Sequence, residues 1–111
     1  MDDIRLKTMP FEWRGETIQL CCNMNVLADV QEAYNGDLSR AFKGSTIKAV
    51  LTFLTAMIND ATDSYLTVRE VGREIAPAEL ERIRGLVLPL VTDALKSTEK
   101  KTGTAAAAGS H

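Results

Sequence analysis

The amino-acid sequence predicts a small, mainly α-helical domain with an N-terminal β-hairpin, an α+β fold of four to five helices whose last helix is kinked or broken at Pro89. Two periodicities predict this class. Apolar residues alternate with polar ones over residues 9–22, as in strands, and recur at three- and four-residue spacing from Asn23 to Leu95, as in helices. A length of 111 residues, 45% of them hydrophobic, suits one domain with one modest core.

The hairpin is predicted from two short alternating runs on either side of a glycine. The first run centres on Phe11 and the second on Ile18. Gly15 lies between them and can supply the positive φ that a tight turn needs. We therefore expect Phe11 and Ile18 to face each other across two antiparallel strands. Residues 4–8 are a candidate for a further short strand.

The middle of the chain predicts three helices separated by capping residues. The first ends at Asn35-Gly36, and Asp37 can cap a short helix that runs to Phe42. Ser45 or Thr46 then opens a long central helix that is apolar around most of its circumference. The residues at core spacing in this helix are Ile47, Val50, Leu51, Leu54, Ile58 and Ala61.

The C-terminal part predicts a capped short helix and a long last helix. Thr67 and Glu70 have the spacing of a capping box, and Pro77 suits the first turn of the last helix. Pro89 removes one backbone N–H inside that helix. A single kinked helix is the preferred interpretation, and two separate helices are the alternative. Gly85, four residues earlier, would reduce crowding against the proline ring.

The domain is expected to span residues 1–96. Residues 97–111 contain lysine, threonine and an alanine run and lack the apolar side chains of a core, so this segment is expected to be disordered. Its end, Gly109-Ser110-His111, resembles the start of a purification tag. The acidic N-terminus and the absence of any apolar run near ~20 residues predict neither a secretory signal nor a membrane span.

The residues that support catalysis or metal binding are scarce. His111 is the only histidine, so no Ser-His or Cys-His pair is expected within the domain. Cys21 and Cys22 are adjacent, which fits one inward and one outward strand thiol better than a redox pair or a zinc site. Asp60, Asp63, Glu70 and Glu74 are read as caps and solvated helix ends rather than metal ligands. The sequence therefore predicts no enzyme, no cofactor and a reducing compartment.

One segment, residues 66–88, has a pattern like a helix-turn-helix and favours an alternative function, a small helical DNA-binding regulator. It contains four arginines, but glutamates alternate with them and the net charge of the chain is -2. Because phosphate binding needs uncompensated positive charge, nucleic acid is not the expected partner. The four arginines are Arg69, Arg73, Arg82 and Arg84.

The apolar surplus predicts a protein–protein interface. Two faces of the central helix are hydrophobic, and further leucines fall outside the core stripe of the last helix. An apolar patch left exposed marks a partner site, and in the absence of other partners it favours self-association. The candidate partner-binding residues are Phe53, Met57, Leu86 and Leu88. A fully buried central helix is an equally good alternative.

The order of these motifs resembles the tail assembly chaperones of long-tailed bacteriophages and related gene transfer agents. The resemblance covers residues 11–95, and Cys21-Cys22 and Val30-Gln31 depart from the family pattern. The segments that carry it are Phe11-x-Trp13-Arg14-Gly15-Glu16-Thr17-Ile18-Gln19-Leu20, then Leu27-Ala28-Asp29-Val30-Gln31-Glu32-Ala33-Tyr34-Asn35-Gly36, and then Leu66-Thr67-Val68-Arg69-Glu70-Val71-Gly72 after the long apolar helix.

The resemblance implies a factor that coats the apolar helices of the tape measure protein, keeps them soluble and helps to recruit tail tube protein. It implies a homo-oligomer that works in the host cell cytoplasm and is absent from the mature virion. In this family a longer product often arises by frameshifting near the end of the gene, and Glu99-Lys100-Lys101 is compatible with an A-rich slippery stretch.

Overall fold

A computed structural model describes the backbone of residues 6–109 and the side chains of residues 6–96. Within this range the chain forms an antiparallel hairpin followed by four α-helices and two short 3-10 helices, the mainly helical fold with an N-terminal hairpin that the sequence predicts. The elements are β1 (Thr8–Trp13), β2 (Glu16–Cys21), α1 (Met24–Ala33), a 3-10 helix (Leu38–Phe42), α2 (Thr46–Thr62), α3 (Val68–Arg73), a 3-10 turn (Pro77–Glu79) and α4 (Leu80–Gly109).

The hairpin has the predicted register, with Phe11 opposite Ile18. Its two-residue turn holds Arg14 at φ 51° and Gly15 at φ 85°, the two positive values that match the twist of the flanking strands. The side chains of Phe11 and Trp13 are buried with ring centroids 6.3 Å apart. β1 begins at Thr8, so the candidate strand over residues 4–8 is wrong for residues 6 and 7. Residues 4 and 5 lie outside the described range.

The predicted helix boundaries follow from local hydrogen bonds. Asn23 caps α1, whose end is closed by the Gly36 N–H donating to the Gln31 carbonyl at 2.8 Å. Ser45 caps α2, and the Thr67–Glu70 capping box is formed in both directions at the start of α3. These contacts satisfy backbone groups that a helix end leaves without partners, which explains why short polar motifs fix the boundaries.

α2 forms the centre of the core. All seven residues from Thr52 to Ile58 are buried, because the hairpin, α1, α3 and α4 pack around this helix. The apolar second face of α2 is therefore used inside the domain, as the fully buried alternative predicts. Ile47 and Ala61 are exceptions to the predicted core stripe: Ile47 lies in the first turn of α2 with its side chain 52% exposed, and Ala61 is exposed in the last turn.

α4 is one helix that passes through Pro89 without interruption, so the two-helix alternative is wrong. A Cβ added at Gly85 would meet no atom within 4 Å, so the glycine is not required to accommodate the proline ring. The backbone of α4 continues as helix over residues 97–109, and the expected disorder of residues 97–111 stays a prediction. Extending an existing helix needs no new nucleus, and alanine has the highest helix propensity.

Candidate partner-binding surface

A shallow groove lies between Lys7, which precedes β1, and the outer face of α4. Its volume is about 380 Å³. The Lys7 backbone N–H donates to the Asp93 carboxylate at 3.1 Å and fixes the β1 side of the groove. The α4 side is a continuous strip, because residues three and four apart share one face of a helix. The lining residues are Lys7, Leu88, Pro89, Thr92, Asp93 and Lys96.

The chemistry of this groove suits contact with a protein partner. Leu88 is 43% exposed and lies beside the exposed ring of Pro89, so the N-terminal end of the strip is apolar. Lys96 lies at its C-terminal end, and one oxygen of Asp93, between the two ends, is already bonded to the Lys7 backbone. Apolar side chains next to charged ones are common in protein interfaces.

The four candidate partner-binding residues do not share one surface. Phe53 is 2% exposed and Met57 is fully buried, so the prediction that these two α2 side chains face a partner is wrong. The reason is that the hairpin and the other helices cover α2 on every side. Leu86 is half-buried against the core, and only Leu88 among the four is exposed. The role of Leu88 in binding stays a prediction.

Other large hydrophobic side chains are exposed that sequence reasoning did not select. Phe42 is 53% exposed, yet its ring lies 6.0 Å from the ring of buried Phe53 and shields it. Tyr65 is 93% exposed in the loop that follows the left-handed residue Asp63. Met24 is exposed at the first position of α1. Their positions at helix ends and in loops are the signal that could have found them, since such positions lack neighbours on one side.

The cysteine pair has the predicted inward and outward arrangement. Cys22 is buried, and burial raises the pKa of its thiol to about 12. Cys21 is partly exposed, and its pKa is also raised, mainly by burial and then by the nearby carboxylates of Asp60 and Asp93. A thiol with a raised pKa is mostly protonated at neutral pH and is a poor nucleophile.

The acidic residues around α2 and α3 have structural partners. Asp60 accepts a hydrogen bond from the Asn23 amide at 2.8 Å, and Glu70 belongs to the capping box. Glu74 accepts two hydrogen bonds from Arg14 Nε, at 3.0 and 3.1 Å, and pairs with its terminal nitrogen as well. Among the described residues no three His, Cys, Asp or Glu side chains group as metal ligands.

The arginines of the helix-turn-helix-like segment are partly neutralised. Arg82 pairs with Glu79 at 2.6 Å and Arg84 pairs with Glu81 at 2.7 Å, each within one turn of the chain. Two of the four positive charges that a phosphate backbone would need are thus already compensated. The first helix of the segment, α3, has only six residues.

The described part of the chain contains no helix long and apolar enough to cross a membrane. Comparisons of the whole sequence with models of protein families, with curated proteins and with solved structures find no match.

Proposed function

We propose that this chain is a tail assembly chaperone of a long-tailed bacteriophage or related gene transfer agent. It binds the apolar helices of the tape measure protein, keeps them soluble and helps to recruit tail tube protein. The resemblance over residues 11–95 supports the identity of these partners. The work takes place in the host cell cytoplasm, and the protein is absent from the finished virion.

The observation that carries the proposal is the exposed Leu88 beside Pro89 in the groove on α4. A client helix can lay an apolar stripe along this strip, as amphipathic helices do in hydrophobic grooves. Lys7 and Lys96 in the lining of the groove would favour acidic residues next to the stripe. Phe53 and Met57 take no part, because both are buried.

The test is co-expression with a fragment of the tape measure protein encoded in the same gene cluster. The chain is expected to raise the soluble fraction of the fragment, and Leu88→Asp is expected to abolish this effect because it places a charge in the apolar strip. Met24→Asp is the matched control, since Met24 is also exposed but lies at the start of α1. Equal solubilisation by the wild type and Leu88→Asp would reject the groove as the client site.

The alternative of a DNA-binding regulator predicts a different result. A gel shift with random-sequence duplex DNA at physiological salt is expected to show no complex, because ion pairs and a net charge of -2 oppose phosphate binding. A salt-dependent shift together with no effect on the tape measure fragment would favour the regulator.

A further inference from the structure

The C-terminal end of α1 is closed by a complete Schellman motif. The Gly36 N–H donates to the Gln31 carbonyl at 2.8 Å, and the Asn35 N–H donates to the Glu32 carbonyl at 3.1 Å. Asn35 occupies the left-handed position of the motif at φ 57°, and Gly36 follows at φ 87°. The Gln31 side chain adds a further contact, because its amide donates to the Gly36 carbonyl at 3.0 Å. Both polar groups of the Gly36 backbone are therefore held by the last turns of α1.

The dipeptide Asn35-Gly36 is also the sequence in which an asparagine side chain is most open to attack by the main chain. The nitrogen of the next residue can reach the asparagine Cγ, and glycine favours this approach because it has no Cβ and adopts most backbone conformations. The chain has four asparagines, and only Asn35 precedes a glycine. Asn35 is exposed, whereas the other three use their amide groups in hydrogen bonds. These three are Asn23, Asn25 and Asn59.

We propose that Asn35 is a site of spontaneous deamidation and that the Schellman motif controls its rate. The reaction uses the Gly36 nitrogen as the nucleophile after this nitrogen has lost its proton. In the closed motif the Gly36 N–H is bonded to the Gln31 carbonyl, so the nitrogen keeps both its proton and its orientation. Asn35 therefore reacts only in molecules in which the end of α1 has opened, as helix ends do more readily than a core. This modification is independent of the proposed chaperone function.

The reaction replaces a neutral amide with a carboxylate. The Gly36 nitrogen forms a bond to Cγ of Asn35, the bond from Cγ to Nδ2 breaks, and ammonia leaves with the proton that the Gly36 nitrogen released. Water then opens the resulting cyclic imide at one of its two carbonyl groups. The products are aspartate and isoaspartate, and in isoaspartate the main chain passes through Cβ and Cγ. Water is the only co-reactant, and no atom is oxidised or reduced.

The products are expected to weaken the motif in which they form. A carboxylate at the C-terminal end of a helix is unfavourable, because the last carbonyl groups give that end a partial negative charge. Glu32 and Asp37 already place carboxylates before and after Asn35 in the chain. Isoaspartate also lengthens the main chain between Asn35 and Gly36, so the two hydrogen bonds of the motif lose their spacing. The Gly36 amide should therefore exchange with solvent faster in the deamidated protein.

The first measurement compares the folded with the unfolded chain. The full-length protein is incubated at neutral pH with and without guanidinium chloride, and deamidation is followed by mass spectrometry. Trypsin releases residues 15–40 as one peptide, so fragmentation of this peptide assigns the change to Asn35 rather than to Asn23 or Asn25. Folding is expected to slow the reaction roughly five- to a hundredfold, the effect of two hydrogen bonds. Equal rates would overturn control by the motif, and absence of product from the unfolded chain would overturn the site.

Hydrogen exchange supplies a value that the slowing must match. If the reaction proceeds only from the opened end of α1, the factor by which folding slows deamidation equals the factor by which folding slows exchange of the Gly36 amide. Nuclear magnetic resonance of the labelled protein measures this exchange. Deamidation that is slowed far more than the exchange would show that a step other than opening of the Gly36–Gln31 bond limits the reaction, and would contradict the proposal.

Gln31→Met tests the motif within the folded protein. Methionine keeps the unbranched shape and the helix propensity of glutamine but has no N–H to donate to the Gly36 carbonyl. We expect Asn35 to deamidate about two- to tenfold faster, the effect of one hydrogen bond, with an unchanged far-ultraviolet circular dichroism spectrum. Gln19→Met is the matched control, because it makes the same substitution at an exposed position of β2. Equal deamidation rates in the two variants would contradict the proposal.

Discussion

Individual residues set the conformation of the hairpin turn. Arg14 adopts φ 51°, a region that costs a side chain energy, yet it makes two compensating contacts. Its guanidinium carbon lies 4.9 Å from the centre of the Trp13 ring, and its nitrogens bind the Glu74 carboxylate at the end of α3. The conformation of the turn is thus stabilised by Arg14, and its contact with Glu74 exists only in the tertiary structure. The sequence pattern predicted Gly15 in the turn but not Arg14.

Replacing either of two glycines by alanine is expected to change the free energy of unfolding, in opposite directions at the two positions. Gly15→Ala should lower the free energy of unfolding by about 1–2 kcal/mol, because an L-residue at φ 85° is strained. Gly85→Ala should raise it by about 0.5–1 kcal/mol, since the helix interior there has open space for a Cβ. Urea denaturation of both variants measures the difference. Destabilisation by Gly85→Ala would show that the space is needed for a contact.

The Arg14–Glu74 pair predicts a pH dependence of stability. The hydrogen bond from Arg14 lowers the pKa of Glu74 below its ordinary value of 4.5. A carboxyl with a lowered pKa in the folded state stabilises the protein fully above 4.5, and this contribution is lost as the pH falls through the folded-state pKa. Thermal unfolding from neutral to acidic pH should therefore show a smaller decline for Glu74→Gln than for the wild type. Arg14→Gln should match it, with no further change in the double variant.

At the scale of elements, α4 retains its helical path although Pro89 removes one hydrogen bond. The Gly85 carbonyl loses the partner that a residue with an N–H at position 89 would supply. Pro89 is exposed, so water can reach this part of the helix, and the cost of the lost bond is reduced. A bend at this position stays a prediction.

Pro89→Ala is expected to stabilise α4. Proline inside a helix is about 3 kcal/mol less favourable than alanine, which sets the upper limit of the gain. The melting temperature followed by circular dichroism should rise. The same variant should weaken binding of the tape measure fragment only if the proline ring forms part of the client site. An unchanged melting temperature would mean that surrounding groups already replace the missing hydrogen bond.

Structural features that depend on residues close together in the chain were predictable from the sequence. The capping box at Thr67, the stop at Asn35-Gly36 and the pairing of Phe11 with Ile18 depend on residues close in the chain. The exposure of Ile47 and the burial of Met57 depend on how several elements surround α2, and periodicity cannot report this. For the candidate site, the pattern identified Leu88 but not Lys7, which reaches the groove through a contact 86 residues away in sequence.

At the scale of the whole molecule, the core is built around α2, which packs against β2, the other three α-helices and the 3-10 helix Leu38–Phe42. This arrangement separates side chains that hold the fold from those available to partners. Met57→Ala should lower the free energy of unfolding by about 2–5 kcal/mol, because it leaves a cavity at a fully buried site. Leu88→Ala should leave stability within about 0.5 kcal/mol of the wild type, since it changes an exposed position. Similar losses for the two variants in chemical denaturation would contradict this separation.

The burial of Trp13 has a consequence for how folding can be observed. It is the only tryptophan of the chain, and it lies 7% exposed on the hairpin beneath Arg14. Its fluorescence therefore reports whether the hairpin is docked on the helices, whereas circular dichroism reports mainly the helices themselves. If the domain unfolds in one cooperative step, both signals change at the same denaturant concentration. A tryptophan transition that comes first would identify the hairpin as a separately opening unit, one that can leave the helical core while that core remains folded.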